Sequence, residues 1–437
     1  MKKRAFALFL ALVLLIGVLS ACGSQDPSTP ATNPTAAPAD NTDTASDPAP
    51  AAPSDEAINL VWMDYNGYNL DTLDAVIREL EVENIFFETI HLPNDYQPQL
   101  MIRINAGETP DVFCIEAGLP LILEFNEFCM DLSGAPVVDK ILPWAIEDMT
   151  YEGKLHGIPG LFNSISLIYN KELFAQAGIT EIPRTYSQLV STAETLKAAG
   201  ITPFSNGYQL GWIIFQSAAP FISAEGGTPQ ELADRLDSGA LSFQTMSRWN
   251  DFLDYMDMTM EFGAPRALET DWELQQRALA LGEAAMIHMG DWAEANIVGN
   301  NPDVQVAFIP LPISENPSES RLYSSLSFTW RVSAATAYPD AVMHALDHVL
   351  TSDNGTSYWL GMGLVPTKEI SVEIPTQLGQ NISAILEESD AVWAWPYTAW
   401  NSEFCDSFGE IMQAYLIGQV ARDDVAVQLD NAWQQAK

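Results

Sequence analysis

Fifty-eight acidic side chains stand against 19 basic ones in 437 residues, so carboxylates are the groups most available for chemistry. Two of them about 5 to 10 Å apart could hydrolyse a glycosidic bond, one as acid and the other as nucleophile or base. With so many present, no pair in the sequence is diagnostic. The histidines are His91, His156, His288, His344 and His348. His344 and His348 are four apart, which could place two imidazoles on one helix face for zinc, although surface or half-buried helix histidines have the same spacing. Cys22, Cys114, Cys129 and Cys405 contain no C-x-x-C pair and are too few for a disulfide framework. Neither a G-x-S-x-G elbow, an H-E-x-x-H helix nor a phosphate-binding G-x-x-x-x-G-K-[ST] loop occurs. The sequence therefore assigns no catalytic residue, no metal ligand and no cofactor.

A net charge of -39 repels phosphate backbones and argues against nucleic-acid binding, while leaving neutral and cationic ligands open. With 47% hydrophobic and 10% aromatic residues the chain is too apolar to be disordered throughout, and its length exceeds one ordinary core, so two lobes are expected. The elements follow from periodicity. Ile58–Met63 reads as a strand, and Asp71–Glu83 as a helix with Leu73, Val76, Ile77 and Leu80 on one face. A helix over Tyr96–Ile104, a turn at Gly107–Pro110 and a buried strand over Asp111–Ile115 complete a strand-helix-strand lobe. Further strands are expected over Ile165–Tyr169, Ala284–Met289 and Val304–Ile309. Thr185 and Gln188 form the pattern of a capping box for a helix to Ala199, and His344 and His348 fall in an amphipathic helix over Asp340–Leu350.

The first segment sets the compartment. Lys2, Lys3 and Arg4 precede an apolar run from Ala5 to Leu19, which reads as an export signal because about 20 residues are needed to span a bilayer. Its end, Leu19-Ser20-Ala21-Cys22, resembles the bacterial lipobox, which implies lipidation of Cys22 and removal of residues 1–21. Residues 22–56 are Pro-, Ala- and Thr-rich without Leu, Ile, Val or an aromatic residue, the composition of a disordered tether.

Six segments together resemble the extracellular solute-binding proteins of bacterial ABC importers, in the carbohydrate-binding family that includes maltose-binding protein. They are Ala106–Phe113, Tyr151–Pro159, Leu167–Ile179, Pro183–Tyr186, Gly282–Trp292 and Gly361–Pro366. The resemblance implies an α/β, two-lobed periplasmic-binding-protein-like fold of type II, its lobes joined by crossing hinge strands. The first lobe would comprise residues 57–162 plus 304–360, and the second 163–303 plus 361–437. It further implies a monomeric, lipid-anchored binding protein outside the cytoplasmic membrane that delivers a sugar or oligosaccharide to an ABC permease, and not an enzyme. A polyamine or other cationic solute is the alternative cargo, since an acidic aromatic cleft can hold cations. A secreted glycoside hydrolase is the alternative of another class.

A sugar carrier needs flat apolar faces for pyranose rings and polar groups at their rims. In α/β lobes ligands sit beyond the carboxyl ends of strands, which nominates Tyr65, Asn66, Glu116 and Trp292. By resemblance, Trp292 is the sugar-stacking tryptophan and Asn163 a ligand-contacting amide near the crossover. Tyr208 and Trp212, in a Gly-flanked aromatic loop, match a variable cleft region. Asp291, Trp330 and Trp395 are further candidates, whereas Trp62 is expected in the core. Cys114, Cys129 and Cys405 are expected as buried thiols, with a Cys114–Cys129 bridge as the alternative.

Overall fold

The computed structural model describes residues 57–64, 70–92, 96–364, 372–388 and 392–436. Alternation and β-branched content place β1 at Ile58–Asp64, β2 at Ile85–His91 and β3 at Val112–Glu116. The hairpin strands β4 (Thr150–Tyr151) and β5 (Lys154–Leu155) follow, then β6 (Ile158–Pro159) and the long β7 (Phe162–Asn170). The remaining strands are β8 (Met286–Gly290), β9 (Val306–Ile309), β10 (Leu322–Leu326), β11 (Phe328–Val332) and β12 (Val392–Trp393). The first sheet has the order β2-β1-β3-β11-β6, with β1 parallel to both neighbours and β11 antiparallel to β3. The second has the order β12-β10-β7-β8, and β9 also pairs with β7. Helices cover both sheets, as expected of two α/β lobes.

Sheet membership moves one boundary. A return to the first lobe at residue 304 was expected, but β9 and β10 both hydrogen-bond to β7 in the second sheet. The chain changes sheet at Ser327, between β10 and β11. The length of β7 explains this: its start pairs with β10 and its end with β9, so one strand edge accommodates both. The capping box also differs from its pattern. Thr185 accepts from the Gln188 amide, but the Gln188 side chain takes the Arg184 N–H; the reciprocal box forms at Thr228 and Glu231. Residues 205–212, expected as an aromatic loop, run into the helix Gly211–Ser223, whose apolar face is buried.

In the first lobe Trp62 is fully buried and meets Phe87 edge-on. Trp330 lies tilted on Trp359 with ring centroids 4.2 Å apart, and Gly160 lies against its face, where a Cβ would overlap the indole. Trp330 is thus core and not a ligand contact. β11 also decides the cysteine chemistry. Cys114 pairs with Trp330 across one edge of this strand, while Cys129 bridges Ser333 across the other. Two strand spacings exceed the reach of a disulfide, and Cys114, Cys129 and Cys405 are free thiols, of which Cys114 alone is fully buried. Gly160→Ala should destabilise the protein by about 1 to 3 kcal/mol through overpacking against Trp330, read as a lower urea midpoint at unchanged m-value. An unchanged midpoint would mean the Trp330 ring has room to shift.

Candidate functional site

The passages between the sheets meet at Asn163. It stands at the start of β7, and both hydrogens of its buried amide are taken, one by Asp291 Oδ1 at 2.9 Å and one by the Met362 carbonyl at 2.8 Å. Its Oδ1 accepts from the Ser327 hydroxyl. Gly363 lies against the same amide, with no room for a Cβ. Ser164 and Ser324 link β7 to β10 through their hydroxyls at 2.5 Å. Asn163 therefore ties together the crossings at Phe162, Ser327 and Met362–Leu364, and the structure uses it in the hinge rather than as a ligand contact.

An aromatic ladder lies beside the hinge. Trp292, on the turn that follows β8, meets Trp395 edge-on at 6.2 Å; Trp395 stacks on Tyr397 at 5.6 Å; Tyr397 meets Phe215 edge-on at 5.1 Å. The Trp395 indole N–H donates to the Tyr323 carbonyl at 3.0 Å, fixing the ring over β10. Trp395 is buried, whereas Trp292, Tyr397 and Phe215 are half-buried, with the Tyr397 hydroxyl itself enclosed. Gly290 has no Cβ to collide with the Trp292 ring, which folds back over it. Across the junction stands Glu116, exposed at the carboxyl end of β3. Burial, and then the charge of Glu116, push the Tyr397 phenol well above its ordinary range. Gly118, two residues beyond Glu116 with φ +138°, abuts the Thr398 carbonyl, so loops of both lobes meet at the ladder.

Of the nominated residues, Trp292, Trp395 and Glu116 converge here. Trp212 is half-buried one turn before Phe215 on the helix Gly211–Ser223 and packs against both main cores. Tyr208 does not converge: it is buried in the second lobe, its hydroxyl 2.8 Å from Thr259 Oγ1. Asp291 is buried behind the ladder, accepting from Asn163 and from the Ser164 amide. Tyr65, Asn66 and Cys22 lie outside the described residues. Sequence reasoning missed Tyr397 and Phe215. Their signals were the run Trp395-Pro396-Tyr397, where proline fixes the turn between two rings, and the i,i+3 spacing of Trp212 and Phe215. His344 and His348 each pair with a glutamate, Glu83 and Glu79, at 3.0 Å across a helix junction. Among the described residues no group of three or more His, Cys, Asp or Glu side chains could hold a metal ion.

The description of the family of bacterial extracellular solute-binding proteins matches residues 93–356. The chain belongs to that family. An uncharacterized ABC transporter extracellular-binding protein of Pyrococcus horikoshii is 26% identical over 274 residues, 60% of this solute-binding protein and 59% of that relative. The chain thus spans less than two thirds of the length of that curated relative. A solved chitin oligosaccharide binding protein is similar in fold, with TM-score 0.75 at 19% identity over 87% of this chain and 99% of the other. The solute-binding protein RafE in complex with raffinose gives TM-score 0.72 at 20% identity over 86% and 100%. These likenesses establish the two-lobed type II fold. No described helix is long and apolar enough to cross a membrane.

Beneath the ladder, His288 on β8 is buried with Nδ1 3.2 Å from the Tyr255 hydroxyl. Burial pushes its imidazole down to about 3. It is neutral in the folded protein and protonates below about pH 6.5 when unfolded, so the stability it contributes is present above that pH and is lost as pH falls towards 3. Denaturant titrations of the wild type and His288→Gln should diverge below about pH 6.5, the wild type losing up to about 1.4 kcal/mol more per pH unit. Parallel pH profiles would show that the imidazole protonates in place.

Proposed function

We propose that this solute-binding protein is the capture component of an ABC importer, closing its two lobes around a sugar or oligosaccharide and handing it to a membrane permease. The observation that carries the reading is the ladder Trp292–Trp395–Tyr397–Phe215 at the lobe junction. Ring faces at an interlobe junction suit the C–H faces of successive pyranose units, and the exposed Glu116 carboxylate can accept from sugar hydroxyls. Ligand that touches both lobes favours closure, since the contacts are made together in that arrangement alone. The names of the structural neighbours, which bind chitin oligosaccharide and raffinose, support the cargo class.

The finer reading is a monomer anchored through lipid on Cys22 to the outer face of the bacterial cytoplasmic membrane, with residues 23–56 as tether. The lipobox-like Leu19–Cys22 and the composition of the tether support it. A separate ATPase would supply the energy.

Calorimetric titration with raffinose, maltotriose, chitin disaccharide and spermidine, followed by mass spectrometry of each ligand, tests the cargo. Saturable binding of an intact saccharide is expected, and Trp292→Ala should weaken it about 10- to 100-fold through loss of roughly 1.5 to 3 kcal/mol of ring contact. Binding of spermidine alone would move the cargo to cations, and a cleaved saccharide would move the protein to the hydrolases.

A further inference from the structure

The turn Gly290–Glu294 carries neighbouring side chains with different partners. Trp292 enters the ladder. Glu294 is buried and accepts from the Gln377 and Leu378 amides at 2.6 and 2.7 Å, holding the start of the helix Gln377–Glu388 that follows the crossing at Met362–Leu364. Asp291 turns inward to Asn163 and the Ser164 amide, both through Oδ1, at 2.9 and 3.2 Å. Its Oδ2 is buried without a partner. Through Asn163 the same carboxyl is linked to Met362 and Ser327, so ligand contact and crossings are joined by one turn.

Two donors on one oxygen and none on the other solvate an ionised carboxylate poorly, because it offers about four acceptor positions. They suit a neutral acid with its proton on Oδ2. Burial pushes the Asp291 ionisation up to about 8; hydrogen bonds from Asn163, from the Ser164 amide and from its own amide oppose the shift, and the charge of Glu294 adds to it. The side chains facing Asp291 from β7 and from the crossings include Asn163, Ser164 and, through Asn163, Ser327, which do not titrate in this range. Glu294, on its own turn, is the charge that acts on it.

We propose that Asp291 is the positioning residue that couples ligand at Trp292 to the hinge, its protonated form holding the crossings in the arrangement where Gly118 meets Thr398. This rests on the reading that the ladder touches the ligand. Reorienting the crossings brings water to Oδ2, so the ionised form favours the open arrangement. The closed arrangement holds the proton more tightly, so closing takes up a proton: closure is favoured most below about pH 4, the ordinary carboxylate range, weakens as pH rises from there to about 8, and no longer depends on pH above that.

The experiment is small-angle scattering of the ligand-free full chain from about pH 4.5 to about pH 9.5, beside calorimetric titration with raffinose and maltotriose at the same pH values. The wild type should gain radius of gyration and lose affinity by up to about tenfold per pH unit as pH rises towards about 8, levelling off above it, while Asp291→Asn gives flat profiles in both. Trp292→Ala should lose affinity yet keep the wild-type scattering profile, which separates the ladder from the hinge. Coincident scattering profiles for the wild type and Asp291→Asn would overturn the coupling. If the wild type binds neither saccharide at any pH, the saccharide reading fails on its own, and the scattering comparison still decides the hinge.

Discussion

Wherever the chain passes between the sheets, backbone and side-chain polar groups must be buried and still find partners, and the Asn163 amide is how this protein meets that constraint. An unpaired buried amide costs about 1 to 3 kcal/mol, and a passage with several would not hold one geometry. Asn163 satisfies Met362, accepts from Ser327 and shares its remaining hydrogen with Asp291, so one side chain closes the accounts of three passages. The close approach of Gly363 follows from the same arrangement, since a Cβ there would displace the amide. The orientation of the turn after β8, and with it the ladder, depends on this anchorage.

That anchorage also sorts the aromatic residues. Trp62 and Trp330 lie inside a sheet-and-helix core, where each fully buried ring contributes on the order of 3 kcal/mol and presents nothing to a ligand. Trp292, Tyr397 and Phe215 lie where the second sheet ends against loops of the first lobe and are half-buried there rather than enclosed in a core. Trp395 joins the two roles, buried itself and held by β10, so that it gives the half-buried rings a rigid backing.

The carboxylates divide in the same way. Among the described residues the acidic side chains other than Asp64, Asp291 and Glu294 are exposed or half-buried. Asp291 and Glu294 are buried on one turn, the first accepting from a side chain and an amide, the second capping a helix start. Glu116 keeps its exposure at a strand end and its charge is felt by Tyr397. The acid of the sequence is thus distributed between a hinge, a helix cap and a site rim, three environments that composition does not distinguish.

The sequence by itself determined the two-lobed α/β class and most strands and helices, because hydropathy and periodicity are local properties of the chain. It also carried the family through segments such as Gly282–Trp292, and it placed Trp292 at a strand end. It did not determine that β9 and β10 belong to the second sheet, since strand pairing depends on which edge of β7 is open and not on either strand's composition. Nor did it separate Tyr208 and Trp330 from Trp395, or Asn163 in the hinge from Asn163 at a ligand. Those choices depend on contacts between residues about 50 to 200 positions apart, Tyr208 with Thr259 or Asn163 with Met362, and only the tertiary structure brings such partners within hydrogen-bonding distance.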